Sequence, residues 1–175
     1  MKKRLIFSIT LVLSIIFITA CTSSSKGEKI TYTDSKLKLT TTFEYDNEDG
    51  FKQGKDVTGG KYAEIEFSNE KQNLHFDMYY TKNPTKTCES LKKDRQKDKY
   101  YKEYKFGDYE AYTYGNYEEK LYLVIDIKTD KETKETIELF IAIDTIKYDK
   151  EFIVADAIKN DVLQSFFKSI KIKEE

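Results

Sequence analysis

The chain has no tryptophan, one proline, one histidine and only two cysteines among its 175 residues. A single histidine, His75, is a poor basis for a metal centre, because structural and catalytic zinc sites take three or four ligands. Two cysteines allow at most one disulfide, so the chain is not a disulfide-stapled scaffold. The folded part must therefore be stabilised by its own hydrophobic core.

The first twenty residues contain no acidic side chain. Three basic residues at positions 2–4 precede LIFSITLVLSIIFITA, residues 5–20, which carries no charge. As a helix this run would be about 24 Å long at 1.5 Å per residue, whereas a spanning helix needs roughly 20 apolar residues. A basic start followed by a short apolar run predicts a secretory signal peptide rather than a permanent membrane span.

The apolar run ends in Ile18-Thr19-Ala20-Cys21. This motif resembles the lipobox of bacterial lipoproteins, in which an aliphatic residue and two small residues precede a lipidated cysteine. The resemblance implies a diacylglyceryl group on the sulfur of Cys21 and cleavage after Ala20. Two acyl chains hold a protein to a membrane durably, whereas one chain does so only marginally.

This resemblance divides the chain into three parts. Residues 1–20 are expected to be the signal peptide, and residues 21–29 the lipidated N-terminus with a small, polar, flexible tether. Residues 30–175 are expected to form one domain, a normal size for a single core. The predicted location is the extracytoplasmic face of the cell membrane, with the membrane as a partner through the N-terminal lipid.

The chain has no excess of positive charge. Removal of residues 1–20 takes away three of the 30 basic residues and none of the 31 acidic ones, which leaves a net charge of −4. A mildly acidic surface of mixed sign argues against binding to nucleic acid, which requires a basic patch.

Alternation of apolar and polar residues predicts most of the domain to be β-sheet. The expected strands lie within residues 30–43, 61–67, 74–80, 105–115, 120–128 and 137–143. The second and third of these form one predicted hairpin, and the last two form another.

Two helices are predicted. The first is short and peripheral, running from Thr85 to about Tyr101 after Pro84, with Thr85 or Thr87 as its N-cap. The second is amphipathic and covers roughly residues 156–168, because apolar residues recur there every four positions. The expected fold class is α+β: a curved antiparallel sheet of about six or seven strands, covered by the C-terminal helix and the short mid-chain helix.

The closing segment VLQSFFKSIKI, residues 162–172, and the order of the elements resemble the PsbP/Mog1/DcrB-like α/β sandwich family. Members of that family share a scaffold and include accessory subunits and bacterial lipoproteins. The resemblance implies no reaction and no functional residue for this chain.

The segment YEAYTYGNY, residues 109–117, is rich in tyrosine. If Tyr109 and Ala111 face the core, Tyr112 and Tyr114 face away from it. Exposed tyrosines suit contact with a protein or a sugar, because the ring is apolar and its hydroxyl is polar. Tyr112 and Tyr114 are therefore a candidate binding face, unless a helix or loop covers them.

Cys88 is expected to be a small packing residue on the helix face. A catalytic cysteine needs a base, usually histidine, and no second feature links Cys88 to His75. The loop at residues 45–56 partly resembles a calcium loop through Asn47 and Asp49, but Tyr45 occupies its first ligand position. A solvated turn is the simpler interpretation of that loop.

The sequence therefore predicts a membrane-anchored surface lipoprotein that is not an enzyme. Its expected role is binding or assistance to a surface protein partner, with no catalytic residue, metal or cofactor assigned. A carrier lipoprotein for a small molecule or metal is the alternative. A carboxylate-based hydrolase is a further one, although no pair of carboxylates is distinguished by its spacing.

Overall fold

The computed structural model describes residues 27–57, 64–130, 132–133 and 135–174. The predicted signal peptide and Cys21 lie outside these residues. The strands are β1 (Glu28–Asp34), β2 (Leu39–Tyr45), β3 (Phe51–Val57), β4 (Glu64–Asn69), β5 (Leu74–Asn83), β6 (Lys102–Phe106), β7 (Tyr109–Tyr114), β8 (Lys120–Thr129), β9 (Thr136–Thr145) and β10 (Lys171–Glu174). The α-helices are α1 (Cys88–Arg95), α2 (Val154–Ala157) and α3 (Asp161–Lys168).

The strands form two antiparallel sheets. The larger sheet has seven strands in the order β3-β4-β5-β9-β8-β7-β6. It confirms the α+β class, an antiparallel sheet and both predicted hairpins. The expected total of about six or seven strands is too low, because the described residues contain ten. Strand β3 begins within the loop at residues 45–56 that was interpreted from the sequence as a solvated turn. The smaller sheet, β1-β2-β10, was not predicted, because alternation shows which residues form strands but not which strands pair. Residues Lys171–Glu174 pair with β2 as β10.

The main core lies between the two sheets. Tyr32 of β1 stacks on Tyr80 of β5, with 5.3 Å between ring centres, and the hydroxyls of Thr41 and Tyr80 are hydrogen-bonded. Because side chains alternate along a strand, the inner residues of β8 and β9 face this core. Leu123 and Ile141 are fully buried there.

The C-terminal helix is divided. The sequence predicted one helix over residues 156–168, but α2 ends at Ala157 and α3 begins at Asp161. Asn160 starts the new helix by accepting a hydrogen bond from the Val162 amide through its side chain, at 2.9 Å. Periodicity continues across this break and could not show it.

Helix α3 fills the core with aromatic rings. The ring of Phe166 lies 4.8 Å from that of Phe43 in β2 and 4.1 Å from that of Phe51 in β3. Phe167 contacts Phe106 of β6, with 5.5 Å between ring centres. Helix α3 therefore joins the smaller sheet to both edges of the larger one.

Helix α1 lies on the opposite, outer face of the larger sheet. Thr87 is its N-cap, as one of the two predicted alternatives, and accepts a hydrogen bond from the Ser90 amide at 3.2 Å. The helix ends at Arg95, earlier than the predicted end near Tyr101. Leu91 is its one buried apolar residue. Of the helices that the structure describes, none has the length and apolar character to cross a membrane.

Candidate functional site

The outer face of the larger sheet carries rows of aromatic side chains. Strand pairing places Tyr79, Phe140, Val124 and Tyr112 side by side on four neighbouring strands. The next row along the strands contains Asp77, Ala142, Tyr122 and Tyr114. Because residues two apart share a face, both rows point away from the main core.

Tyr112 is fully buried, although it belongs to the predicted binding face. It points away from the main core, as alternation predicted, but it packs with Val124 and Phe140 in a second apolar cluster. Its hydroxyl donates a hydrogen bond to Glu138 at 2.9 Å, and burial, followed by the charge of Glu138, raises the pKa of this phenol. The prediction that Tyr112 contacts a partner is therefore wrong, because the side chain is covered. Tyr112 instead packs under the exposed residues of the outer face.

Arg95, at the end of α1, connects the helix to this cluster. Its Nη1 donates to Glu138 Oε1 at 3.0 Å and also to the Tyr112 hydroxyl. Its guanidinium carbon lies 4.9 Å from the ring centres of both Tyr114 and Phe140. Glu138 is only 2% exposed, so Arg95 supplies the positive charge that a buried carboxylate requires.

Three half-buried tyrosines lie on the same face, and Arg95 of α1 contacts one of them, Tyr114. Tyr114 stacks on Tyr122 with 5.0 Å between ring centres, and Tyr79 stacks on Phe140 at 5.7 Å. Burial raises the pKa of Tyr114 to about 12, so its hydroxyl stays a hydrogen-bond donor at neutral pH. We call Tyr79, Tyr114 and Tyr122 the tyrosine shelf. Of the two predicted residues, Tyr114 thus remains available for contact.

Charged groups of both signs border the tyrosine shelf. His75 Nε2 lies 3.0 Å from Asp77 Oδ1, and Lys120 Nζ lies 3.4 Å from Asp144 Oδ2. The Lys120 ammonium is also 5.5 Å from the centre of the Tyr122 ring. An aromatic centre with a partly exposed polar border is the arrangement found in protein interfaces.

A second group of polar residues lies under α1. Atoms of Cys88, Asp126 and Glu138 all fall within 4.8 Å of one another. Burial, together with the charge of Glu138, raises the pKa of Asp126 to about 6. Its Oδ1 is buried and has no hydrogen-bond partner among the described residues.

The same residues favour a structural role for this group over a metal or hydrolytic one. Both oxygens of Glu138 accept hydrogen bonds from Arg95, so a metal ion would have to compete with an existing ion pair. Thr129 donates a hydrogen bond to the Cys88 sulfur at 3.1 Å. Burial raises the pKa of that thiol to about 11, which opposes formation of the thiolate that binds metals or attacks substrates.

His75 and Cys88 lie at opposite ends of the outer face. His75 is near the start of β5. The Cys88 sulfur contacts Thr129, and Thr129 pairs across the strands with Thr136. Thr136 in turn pairs with Asn83, at the other end of β5. Eight strand positions separate these ends, roughly 25 Å. The two side chains therefore do not form a cysteine–histidine pair.

Sequence reasoning missed Arg95, Asp126 and Glu138 as one network. The alternation in β8 and β9 is consistent with both carboxylates on the outer face, but it carries no information on the pairing of Asp126 with Glu138 across the two strands. The position of Arg95 depends on how α1 docks, and a short helix with a thin apolar face carries little signal for its docking.

No family model matches the chain, and no curated protein or solved structure matches it. The functional assignment therefore depends on the residues themselves.

Proposed function

We propose that this chain is a lipid-anchored bacterial surface protein that binds a protein partner through the tyrosine shelf and catalyses no reaction. The anchor is supported by the order of basic residues, apolar run and Ile18-Thr19-Ala20-Cys21 in the sequence. On this proposal the mature chain begins at Cys21 and acts on the extracytoplasmic face of the cell membrane.

One structural observation carries the binding role: the tyrosine shelf is half-exposed and held in place by a buried network. Arg95 lies against the ring of Tyr114 while its charge is paired with Glu138. Tyrosine and arginine are enriched at the centres of protein interfaces. A surface that is already ordered loses less conformational entropy when a partner binds.

The shape of the surface favours a protein over a small molecule. A small-molecule pocket encloses most of its ligand, whereas Tyr79, Tyr114 and Tyr122 lie on the face of a sheet, around the small side chain of Ala142. A carrier function would require a concave site at this place.

The proposal includes a scaffold of the PsbP/Mog1/DcrB-like kind. Its support is the end of the chain, where residues 162–172 run from α3 into β10. It is supported further by the long hairpin of β8 and β9 at the centre of the larger sheet. The scaffold alone assigns no partner.

The binding role is tested by photo-crosslinking in cells of the native host. A benzophenone amino acid replaces Tyr122 on the shelf or, as a control, the exposed Thr31 on the smaller sheet. We expect one discrete protein adduct from position 122, none from position 31, and loss of the adduct when Tyr114→Ala is added. No adduct, or the same adducts from both positions, would contradict the proposal.

A further inference from the structure

The loop of residues 146–150 exposes two large apolar side chains next to two lysines. Ile146 is 42% exposed and Tyr148 is 79% exposed, and Lys147 and Lys150 are exposed beside them. Asp149 is the acidic residue within residues 146–150, and its side chain accepts a hydrogen bond from the Glu151 amide at 3.0 Å. Glu151 is exposed next to the loop, and Glu70, which also borders it, is paired with Lys52.

The base of this loop is fixed to the domain. Asn73, in the turn between β4 and β5, donates through Nδ2 to the Lys147 carbonyl and accepts through Oδ1 from the Lys147 amide, both at 2.9 Å. The Ile146 amide also donates to the Asn73 carbonyl at 3.1 Å. These hydrogen bonds fix the backbone of the loop at Ile146 and Lys147. The side chains of Ile146 and Tyr148 are therefore exposed to solvent on a loop whose base is fixed.

The predicted lipid tether enters the domain at the same end of the strands. Glu28, at the start of β1, pairs with Tyr45 at the end of β2. The following turn contacts the turn between β4 and β5, where the Asn69 side chain donates to the Asp49 carbonyl at 3.1 Å. That second turn contains Asn73, which holds the 146–150 loop.

The length of the tether limits its reach. Six residue steps separate Cys21 from Gly27, and a fully extended chain spans at most about 3.5 Å per residue. A lipid on Cys21 would thus keep this end of the domain within roughly 20 Å of the bilayer surface. The loop is therefore placed on the side of the domain that the tether draws towards the membrane.

We propose that the 146–150 loop is a second membrane contact, resting on the anchor in the proposed function. Tyr148 and Ile146 enter the interfacial region of the bilayer, where tyrosine is enriched in membrane proteins. Lys147 and Lys150 contact anionic head groups, which attract basic residues close to the membrane surface. The lipid on Cys21 and the 146–150 loop together fix the orientation of the domain. The tyrosine shelf then faces parallel to the plane of the membrane.

The absence of tryptophan from the chain allows a direct test. Tyr148→Trp introduces a single tryptophan at the loop, and Lys36→Trp introduces one in the exposed turn between β1 and β2, at the end of β1 that is farther from Cys21. The chain from Cys21 onward, which contains every described strand and helix, carries Cys88→Ser and is coupled through Cys21 to a maleimide lipid. The vesicles contain phosphatidylcholine, phosphatidylglycerol and brominated phosphatidylcholine, and circular dichroism checks each variant for folding.

We expect a blue shift and at least about twofold quenching of the tryptophan at position 148, and neither change at position 36. Lys147→Glu with Lys150→Glu is expected to reduce the quenching. Unchanged emission at position 148 would overturn the proposal. A blue shift at position 148 that increases with the amount of protein on the vesicles, without quenching by brominated lipid, would also overturn the proposal. Such a result would indicate contact between two copies of the chain.

The chemical tether separates this test from the proposed function. A failure of lipidation in the native host would leave the quenching experiment fully readable, because the maleimide lipid supplies the anchor. A failure of quenching would leave the lipobox prediction intact and would remove only the second contact.

Discussion

Arg95 and Glu138 form an ion pair on the outer face of the larger sheet, with 3.0 Å between Nη1 and Oε1. Arg95 comes from a short helix and Glu138 from a central strand. The same guanidinium lies over the ring of Tyr114. This pair therefore links the docking of α1 to the position of a tyrosine on the proposed binding face.

Replacing Arg95 by glutamine should destabilise the protein by about 3 kcal/mol, because Glu138 would remain buried without its charge partner. Urea unfolding measures the change in the free energy of unfolding. The double variant Arg95→Met with Glu138→Leu should recover most of the loss, since it removes both charges together.

The same helix provides a matched control for that experiment. Lys86 and Asp94 form an exposed ion pair of 2.7 Å, and exposed pairs contribute little to stability. Asp94→Asn should leave the unfolding midpoint unchanged within error. Equal effects of Arg95→Gln and Asp94→Asn would show that the buried pair is not important for stability.

Asp126 should make the protein less stable as the pH rises from about 4 to about 6. Its pKa is raised from 3.8 to about 6 in the folded state, so the folded state binds the proton more tightly than the unfolded state. The contribution of Asp126 to stability is therefore most favourable below pH 4, and it decreases with rising pH until the Asp126 carboxyl is fully ionised in the folded state. Asp126→Asn should remove this fall and raise stability at pH 7.5 by about 1 kcal/mol, a figure reduced for the solvent that reaches the side chain.

Urea unfolding of both proteins at pH 3.5 and pH 7.5 checks this prediction. The difference between variant and wild type should be near zero at the lower pH and favour the variant at the higher one. A constant difference at both pH values would mean that Asp126 ionises normally.

Phe166 should be the most sensitive residue of α3. Its ring contacts Phe43 in the smaller sheet and Phe51 in the larger one. Phe166→Ala is expected to cost about 3–5 kcal/mol through lost burial and the remaining cavity, and Phe166→Leu about half of that. Thermal unfolding measures both, with Tyr148→Ala as an exposed control. A cost of Phe166→Ala below about 1 kcal/mol would contradict the packing of α3 between the sheets.

Cys88 should react slowly with alkylating reagents in the folded protein. Burial raises the pKa of its thiol to about 11, so little thiolate exists at pH 8. In a Cys21→Ser background, where Cys88 is the remaining cysteine, iodoacetamide labelling should be more than about tenfold faster in urea than in buffer. Equally fast labelling of the folded protein would indicate an activated thiol and would reopen the enzyme hypothesis.

Alternation along the chain predicted the strands well because it reports burial of one face. Leu121, Leu123 and Ile125 follow it in β8, and Leu139 and Ile141 follow it in β9, and all five are buried in the main core. The same signal placed Tyr112 and Tyr114 on the outer side of β7. It could not show that Tyr112 is covered, because cover depends on α1, which is distant in sequence.

The second sheet and the Arg95 network depend on contacts between distant segments. Leu39 pairs with Glu174 across most of the domain, and Arg95 meets Glu138 across 43 positions. A pattern read within a short window carries no information on such pairs. The α2–α3 break is a local feature, but Asn160 was hidden by apolar residues that keep the same spacing on both sides of it.

The most direct test of the central proposal is the intact mass of the protein extracted from its native membrane, measured beside a Cys21→Ser variant. The lipoprotein account predicts a chain that lacks residues 1–20 and carries a diacylglyceryl group on Cys21, and a variant without that lipid. A mass with the signal peptide intact, or a chain cleaved but not lipidated, would contradict the anchor and with it the proposed location at the membrane surface.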